Sequence, residues 1–206
     1  MTTQITKKAL ISVSLIFSLL ILDQILKIWI KTSFFLGEEI QITGWFRLHF
    51  VENKGMAFGM SLFDKKYLTI FRIIASLAIG YYLFLSIKKD SEYTLLVPVC
   101  LIFAGAFGNI IDSILYGQIF SESTPFEIAK FVPFGQGYAH IFYGKVVDML
   151  YFPLIQGNFW NWIPMVGGQE FTFFAPVFNI ADSCITVGVI LIIIFEKKIF
   201  KNKISK

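Results

Sequence analysis

The chain has 206 residues, of which 56% are hydrophobic and 24 are Phe, and its formal net charge is +4. Its mean hydropathy is +0.69. A soluble domain of this size rarely tolerates so much apolar surface, so the composition indicates an integral membrane protein. The sequence carries no nucleic-acid-binding signature, and nucleic acid is not expected as a partner.

Four runs are apolar and long enough to cross the roughly 30 Å hydrocarbon core of a bilayer as helices of about 20 residues. They cover residues 9–30, 67–87, 94–115 and 177–195. The first run is not followed by a small-residue cleavage site, so we do not expect a removable signal peptide. We therefore predict an all-α integral membrane protein with four transmembrane helices, which form a single membrane domain over residues 1–206.

The distribution of basic residues predicts the orientation of these spans. Lys7 and Lys8 precede the first span, Lys88 and Lys89 lie in the second connection, and five Lys follow the last span. Because cytoplasmic segments are enriched in Lys and Arg, both termini are expected in the cytoplasm. The same basic segments suit anionic headgroups, so membrane lipids are expected partners.

This orientation leaves two extracytoplasmic segments, at about residues 31–66 and 116–175. Residues 46–51 alternate between apolar and polar side chains, which indicates a short strand, and "ENKG" then indicates a turn. The second segment is rich in aromatic residues, and Trp160, Trp162 and Phe171–Phe174 suit a membrane interface. We therefore predict a small extracytoplasmic element that is β-rich or interfacial.

Three predicted spans carry polar side chains near their outer ends, three or four residues apart. These pairs are Asp23 and Lys27, Asn109 and Asp112, and Asn179 and Asp182. Residues at these spacings share a helix face, and ionisable groups within spans usually face a bundle interior. Asp148, in an apolar stretch before the last span, could fold back against the same level. The polar groups are thus expected to converge near the extracytoplasmic face.

Most of these residues also have a purely structural interpretation. Asp23 and Lys27 can neutralise each other as a latch, and Asn side chains often bond across helices. His49 and His140 are isolated, and Cys100 and Cys184 fit small buried hydrophobes better than metal ligands or a disulfide. Asp182 is the hardest to explain, since its own helix offers no cation. Two carboxylates brought together would share a proton, as an aspartic hydrolase requires.

Five segments of the chain together resemble one known family. They are "DQILKIWI", "NKGMAFG", "GNIID", "VVDML" and "FNIADS", in this order. Each segment alone is weak evidence for a family. Together they are similar to the motifs of the lipoprotein signal peptidases, the signal peptidase II family of bacterial inner-membrane aspartic proteases. The resemblance covers nearly the whole chain.

The resemblance implies a catalytic pair and a set of supporting residues. The pair would be Asp148 and Asp182. Substrate-binding or supporting roles would fall to Asp23, Lys27, Asn53, Gly55, Asn109, Asp112 and Asn179. The implied substrate is a prolipoprotein whose Cys carries a diacylglyceryl group, cleaved on the N-terminal side of that Cys. No metal or other cofactor is implied. We expect a monomer in the inner membrane, with its site near the extracytoplasmic face.

Two departures from the family pattern concern the shape of the site. Ser113 follows Asp112 where the family usually has Arg. The contacts of that guanidinium would therefore be made by Lys27, by water or by no group. About 28 residues then separate Gly117 from Val146, and a second aromatic stretch covers 151–175. We expect these insertions to form an interfacial cover over the site.

Two other functions fit some of these features. A small proton-coupled transporter would also use membrane acids, but it would need polar residues through the full depth of the bilayer, and the inner halves of the spans have almost none. A catalytically inactive relative that binds lipoproteins or lipid is the second alternative. The acids of all the motifs are present, which favours the peptidase.

Overall fold

The computed structural model describes residues 3–55, 64–173 and 176–199. The helices and strands follow one another along the chain as α1 (Thr3–Ser33), β1 (Glu39–Gln41), β2 (Arg47–Asn53), α2 (Lys65–Lys88), α3 (Tyr93–Ile111), α4 (Gly117–Ile119), β3 (Val146–Tyr151), β4 (Ile155–Asn158), β5 (Glu170–Phe173), β6 (Val177–Phe178) and α5 (Ile180–Ile194). A π-helical segment, Asp112–Tyr116, joins α3 to α4. The protein is mostly helical with a small antiparallel sheet, as the sequence predicts.

Three helices in the described part of the chain are long and apolar enough to cross a membrane: α1, α2 and the continuous stretch Tyr93–Ile119. The fourth apolar helix, α5, has 15 residues. At 1.5 Å per residue it is roughly 22 Å long, which is less than a typical hydrocarbon core. The count of four spans therefore stays a prediction.

Small residues allow α3 and α5 to approach each other closely. A Cβ atom at Gly105 of α3 would collide with the carbonyl oxygen of Ala181. A Cβ atom at Gly188 of α5 would lie 2.8 Å from the carbonyl oxygen of Pro98. α3 also packs against α1 and α2, so it forms the centre of the helical bundle. The position of the first turn of α5 thus depends on this glycine contact.

The four-stranded sheet has the order β1-β2-β3-β6, and every neighbouring pair is antiparallel. Leu48 and Phe50 of β2 are buried in an apolar cluster, as the predicted alternation requires. The predicted turn at "ENKG" is partly wrong, because Glu52 and Asn53 continue β2 and pair with β3. The register between β2 and β3 shifts between Leu48 and Val51, and Val51 then pairs with Asp148.

Residues 118–145 pack against the end of α1 and the edge of β2. Lys31, fully buried, forms an ion pair with Glu52 and donates a hydrogen bond to the Ser123 hydroxyl at 2.9 Å. Lys145 forms a second ion pair with Glu52 at 2.9 Å. These contacts join the insertion to the helix and the sheet. Whether the insertion covers the site stays a prediction.

The second insertion contains the hairpin of β4 and β5. Between its strands, the exposed rings of Trp160 and Trp162 stack with centroids 6.0 Å apart. Exposed Trp rings suit a membrane interface. Two stretches with sequence predictions lie outside the described residues or side chains: Met56–Gly59 of the "NKGMAFG" segment, and Phe171–Phe174.

Candidate functional site

Asp148 lies in the middle of β3, with only 2% of its surface exposed. Its Oδ1 atom accepts a hydrogen bond of 2.6 Å from the amide of Asn179. Its Oδ2 atom accepts one of 3.1 Å from the amide of Asn53. Strand β3 supplies the acid, and two different elements supply its donors, so the carboxyl group is held from both sides.

Asp182 lies in the first turn of α5, where Asn179 is the N-cap residue. The Asn179 side chain accepts a hydrogen bond of 2.8 Å from the backbone N–H of Asp182. The amide of Asn109 on α3 donates to Oδ1 of Asp182 at 2.8 Å. A carboxylate here lies at the positive end of the helix dipole, which stabilises negative charge. The cap and the amide together fix the acid at the end of its helix.

The two acids are close enough for their charges to interact. Burial, and after it the negative charge of Asp182, raise the pKa of Asp148 to about 7. Asn179 contacts both residues, since it caps the helix of one and donates to the other. We call Asp148 and Asp182 the Asp pair. Two carboxyl groups in this arrangement can hold one proton between them at neutral pH.

Lys27 is fully buried and makes three polar contacts. Its ammonium group is 2.9 Å from Oδ2 of Asp23 and 2.9 Å from Oδ2 of Asp112. It also donates to Oδ1 of Asn109 at 2.9 Å. The structural latch expected for Asp23 and Lys27 therefore includes a second acid. Lys27 also orients the amide that contacts Asp182.

Asp23 and Asp112 tie other elements to this lysine. Oδ1 of Asp23 accepts from the backbone N–H of Ala181 in α5 at 2.9 Å. Oδ2 of Asp112 accepts from the backbone N–H of Val147 in β3 at 3.3 Å. Asp23 thus holds the residue that precedes Asp182 in the chain, and Asp112 holds the residue that precedes Asp148. Their contacts indicate positioning of the Asp pair.

Gln24 was not singled out from the sequence, although it follows Asp23 in the "DQILK" stretch. Its amide donates to Asp112 at 3.0 Å and to Asp23 at 3.1 Å, and its Oε1 atom accepts from the Tyr116 hydroxyl at 3.1 Å. Its position next to Asp23, an acid within a predicted span, is the feature of the sequence that could have indicated its role. Tyr116, almost fully buried, has no such feature, because its partner lies 92 residues away.

Gly55 and Asn53 form the turn that follows β2. The backbone N–H of Gly55 donates to Oδ1 of Asn53 at 2.6 Å, which leaves the amide of Asn53 free to donate to Asp148. Gly55 has φ of +81°, a conformation that glycine adopts without a Cβ penalty. A Cβ atom there would lie 3.0 Å from Nη2 of Arg72. The turn therefore places a guanidinium of α2 beside the site.

Ser113 occupies the position where the family pattern has Arg. Its buried hydroxyl donates to the backbone carbonyl of Asn109, one turn earlier, at 2.9 Å. This bond stays within its own helix, so Ser113 does not replace a guanidinium. Lys27 is the cation that contacts Asp112, as one of the expectations from the sequence had it.

The two His and two Cys residues make no hydrogen bond with the Asp pair among the described contacts. His49 forms a contact of 3.1 Å with Glu39 at the half-buried edge of the sheet, and His140 is exposed. Cys100 and Cys184 are buried free thiols. Within the described ranges, no group of three or more His, Cys, Asp or Glu side chains is arranged to hold a metal ion.

Comparison with known proteins gives one consistent family. The sequence model of signal peptidase (SPase) II matches residues 15–197. A lipoprotein signal peptidase of Porphyromonas gingivalis is 51% identical over 183 residues, which cover 88% of this chain and 80% of the relative. One of Amoebophilus asiaticus is 38% identical over 193 residues, covering 90% and 77%.

Solved structures agree with this result. A bacterial membrane enzyme solved by the in meso method at 2.3 Å resolution is similar with a TM-score of 0.62 and 27% identity, covering 93% of this chain and 90% of that one. A second one, at 1.9 Å resolution, has a TM-score of 0.59 and 28% identity, covering 89% and 90%. The resemblance seen in the five sequence motifs is thus confirmed, and the chain belongs to the signal peptidase II family.

Proposed function

We propose that the protein is an intramembrane aspartic endopeptidase and that Asp148 and Asp182 are its catalytic pair. The observation that carries this proposal is the pair itself: two acids from different elements, electrostatically coupled and held by three Asn amides. As a member of its family, the protein is a protease that removes signal peptides from prolipoproteins. The comparisons favour this activity over an inactive relative that binds lipoproteins.

The proposed chemistry uses one proton shared by the Asp pair. The raised pKa of Asp148 supports this residue as the protonated member of the pair, which leaves Asp182 as the base. Asp182 accepts a proton from water, the resulting hydroxide adds to the scissile carbonyl carbon, and Asp148 donates its proton to the carbonyl oxygen. The tetrahedral intermediate then collapses. The C–N bond breaks as ionised Asp148 takes a proton back from one hydroxyl of the intermediate, so that the carbonyl re-forms, and the proton held by Asp182 passes to the departing nitrogen.

The supporting residues have roles that follow from their contacts. Asn53 and Asn179 would hold the carboxyl group of Asp148, and Asn109 that of Asp182. Lys27, Asp23 and Asp112 would fix the elements that carry the pair. We include Gly55 because the turn it allows orients Asn53. These seven residues position the reacting groups in this proposal.

The substrate in this proposal is a prolipoprotein whose Cys carries a diacylglyceryl group, cleaved immediately before that Cys. Purified protein in detergent micelles would be mixed with the lipidated precursor and, in parallel, with the same precursor before lipidation. Mass spectrometry should find a signal peptide that ends at the residue before the Cys, released only from the lipidated precursor. A folded protein that binds this precursor and leaves it intact would establish the binding-module alternative instead.

The protein is a multi-pass protein of the bacterial inner membrane, and we propose that both termini are cytoplasmic. A variant without native Cys, carrying a single Cys at Glu122 or at Glu92, would test this in spheroplasts with an impermeant maleimide. Both positions are exposed. Labelling at 122 and protection at 92 is the expected result, and the reverse pattern would invert the proposed topology.

A further inference from the structure

The central strands of the sheet, β2 and β3, turn opposite faces to two parts of the molecule. Successive side chains of a strand alternate between faces, and residues paired across two strands share a face. Asp148 pairs with Val51 and shares a face with Asn53, which donates to it. Val147 pairs with Glu52, so these two residues lie on the opposite face. We call this the back face of the sheet.

A buried network of charges occupies the back face. Glu52, whose side chain is 2% exposed, pairs with Lys31 of α1 and, at 2.9 Å, with Lys145. It also accepts a hydrogen bond of 3.1 Å from the Ser123 hydroxyl. The ring of Tyr138 lies 4.8 Å and 5.1 Å from the two ammonium groups, which is a favourable cation–π geometry. We call these five residues the back-face network.

The insertion at residues 118–145, which supplies most of this network, packs behind the strand that carries Asp148. Phe120, fully buried, belongs to the same apolar cluster as Val147 and Met149 of β3. Val147 and Met149 flank Asp148 in the chain and therefore point to the face opposite to it. The insertion thus supports the sheet from the side away from the reacting carboxyl group.

Glu52 lies where the sheet needs support from outside its own hydrogen bonds. The pairing of β2 with β3 shifts between Leu48 and Val51, directly before Glu52. Such an irregularity interrupts the ladder of hydrogen bonds, so strand pairing alone does not define the register there. A buried ion pair adds little net stability over apolar packing, and fixing a register is its best-attested use. Because Asn53 follows Glu52, a displacement of Glu52 would move the amide that holds Asp148.

We propose that Glu52 is a positioning residue of the peptidase. The back-face network holds this residue, and with it the strand register that keeps Asn53 on Asp148. This inference rests on the proposed function. Since the network lies on the face away from Asp148, it acts on the geometry of the reacting groups and not on substrate binding. Its loss should therefore lower kcat and leave KM unchanged, whereas loss of a cover over the site would raise KM.

The test compares two variants that destabilise the fold by different means. Glu52→Gln breaks the buried ion pairs, whereas Leu96→Ala leaves a cavity in a second apolar cluster, formed by α1, α2 and α3. Rates of signal-peptide release would be measured per folded molecule, below the unfolding temperature of both variants. Glu52→Gln should lose about tenfold to a hundredfold in kcat with KM unchanged, as expected for misplaced reacting groups. Leu96→Ala should keep the kcat and KM of the wild type.

A milder pair of variants changes no charge and does not depend on the folding of Glu52→Gln. Ser123→Ala removes a hydroxyl that contacts two members of the network. Ser121→Ala is the matched control, since the Ser121 hydroxyl accepts from the backbone N–H of Lys130 and contacts no network member among the described hydrogen bonds. Ser123→Ala should lose about threefold to tenfold in kcat with KM unchanged, and Ser121→Ala should match the wild type. In an Asn53→Ala background, Ser123→Ala should cause no further loss.

Four outcomes would overturn the proposal, and only the last of them touches the proposed function. A wild-type kcat in Ser123→Ala, or in folded Glu52→Gln, would show that the network stabilises the fold and nothing more. A raised KM with unchanged kcat would show that the insertion acts on the substrate. Full additivity of Ser123→Ala with Asn53→Ala would show that the network does not act through Asn53. No cleavage by the folded wild-type protein would overturn the proposed function, and the positioning role with it.

Discussion

Replacing Asn53 with Ala removes one of the two amide donors that hold the carboxyl group of Asp148. The hydrogen bond is 3.1 Å long and stabilises the ionised form of the acid. The second donor, Asn179, is unaffected at 2.6 Å. The carboxyl group therefore keeps its position through one bond and loses part of the stabilisation of its charge. The variant should shift the pH at which the Asp pair loses its last proton.

The size of this shift follows from the strength of a charged hydrogen bond. Such bonds contribute about 1.5–3 kcal/mol, and 1.36 kcal/mol corresponds to one pH unit. The pKa of Asp148 is about 7 in the wild-type protein. Because the Asp pair needs one proton to act, activity should fall above about pH 7. In Asn53→Ala this basic limb should move upward by about one to two pH units.

The assay is the pH dependence of kcat/KM, measured with a lipidated fluorogenic precursor in micelles. The limbs of this profile report the ionisation of the free enzyme. Asn158→Ala is the matched control, since Asn158 is exposed in β4 and has no contact with the Asp pair among the described hydrogen bonds. Its profile should match the wild type. A basic limb in Asn53→Ala that is unchanged, or that moves to lower pH, would refute the assignment of this limb to Asp148.

Three further predictions concern stability in detergent, measured by thermal unfolding. Because the pKa of Asp148 is raised in the folded protein, its ionisation destabilises the fold progressively between about pH 4 and 7. At pH 8, Asp148→Asn should therefore be more stable than the wild type by up to about 4 kcal/mol. At pH 4 the two proteins should be similarly stable. Equal melting at pH 8 would contradict this. Glu52→Gln should cost about 3–5 kcal/mol because it breaks a buried ion pair, whereas the matched change at the exposed residue Glu39 should cost at most about 1 kcal/mol. Similar losses of stability in both variants would show that the buried ion pairs of Glu52 stabilise the protein no more than an exposed ion pair does. Gly105→Ala should destabilise the protein by about 1–3 kcal/mol and reduce cleavage, since its Cβ would collide with the carbonyl of α5, while Gly44→Ala, with open space around it, should be neutral. Full activity of Gly105→Ala would show that cleavage does not require the close packing of α3 against α5.

The helices of the bundle were predictable from the sequence because apolar length alone indicates a membrane helix. α1 extends six residues before and three after its predicted span, and α2 two before and one after. α5 is shorter than its predicted span, since Val177 and Phe178 belong to β6. Hydropathy does not distinguish an apolar strand from the start of an apolar helix, so this boundary could not be read from the sequence.

The contacts of the site were only partly predictable. Spacing indicated that Asp182 and Asn179 share a helix face, and the structure adds that Asn179 caps the helix and donates to Asp148. The pairing of Val51 with Asp148 depends on a register shift in the sheet, which no local pattern indicates. Lys31 had no visible partner in sequence, because Glu52 and Ser123 reach it from other segments. A single sequence does not show which residues far apart in the chain contact each other.

The rate of signal-peptide release by Asp148→Asn and by Asp182→Asn, each measured beside the folded parent protein, tests the catalytic pair most directly. Asp90→Asn is the matched control, because this acid pairs with Lys8 at the other end of the bundle. We expect each variant at the Asp pair to lose at least about a hundredfold in rate, as for loss of an acid or base, and Asp90→Asn to cleave like the parent. Release by either Asp148→Asn or Asp182→Asn at a rate close to that of the parent would contradict the assignment of these two acids as the catalytic pair.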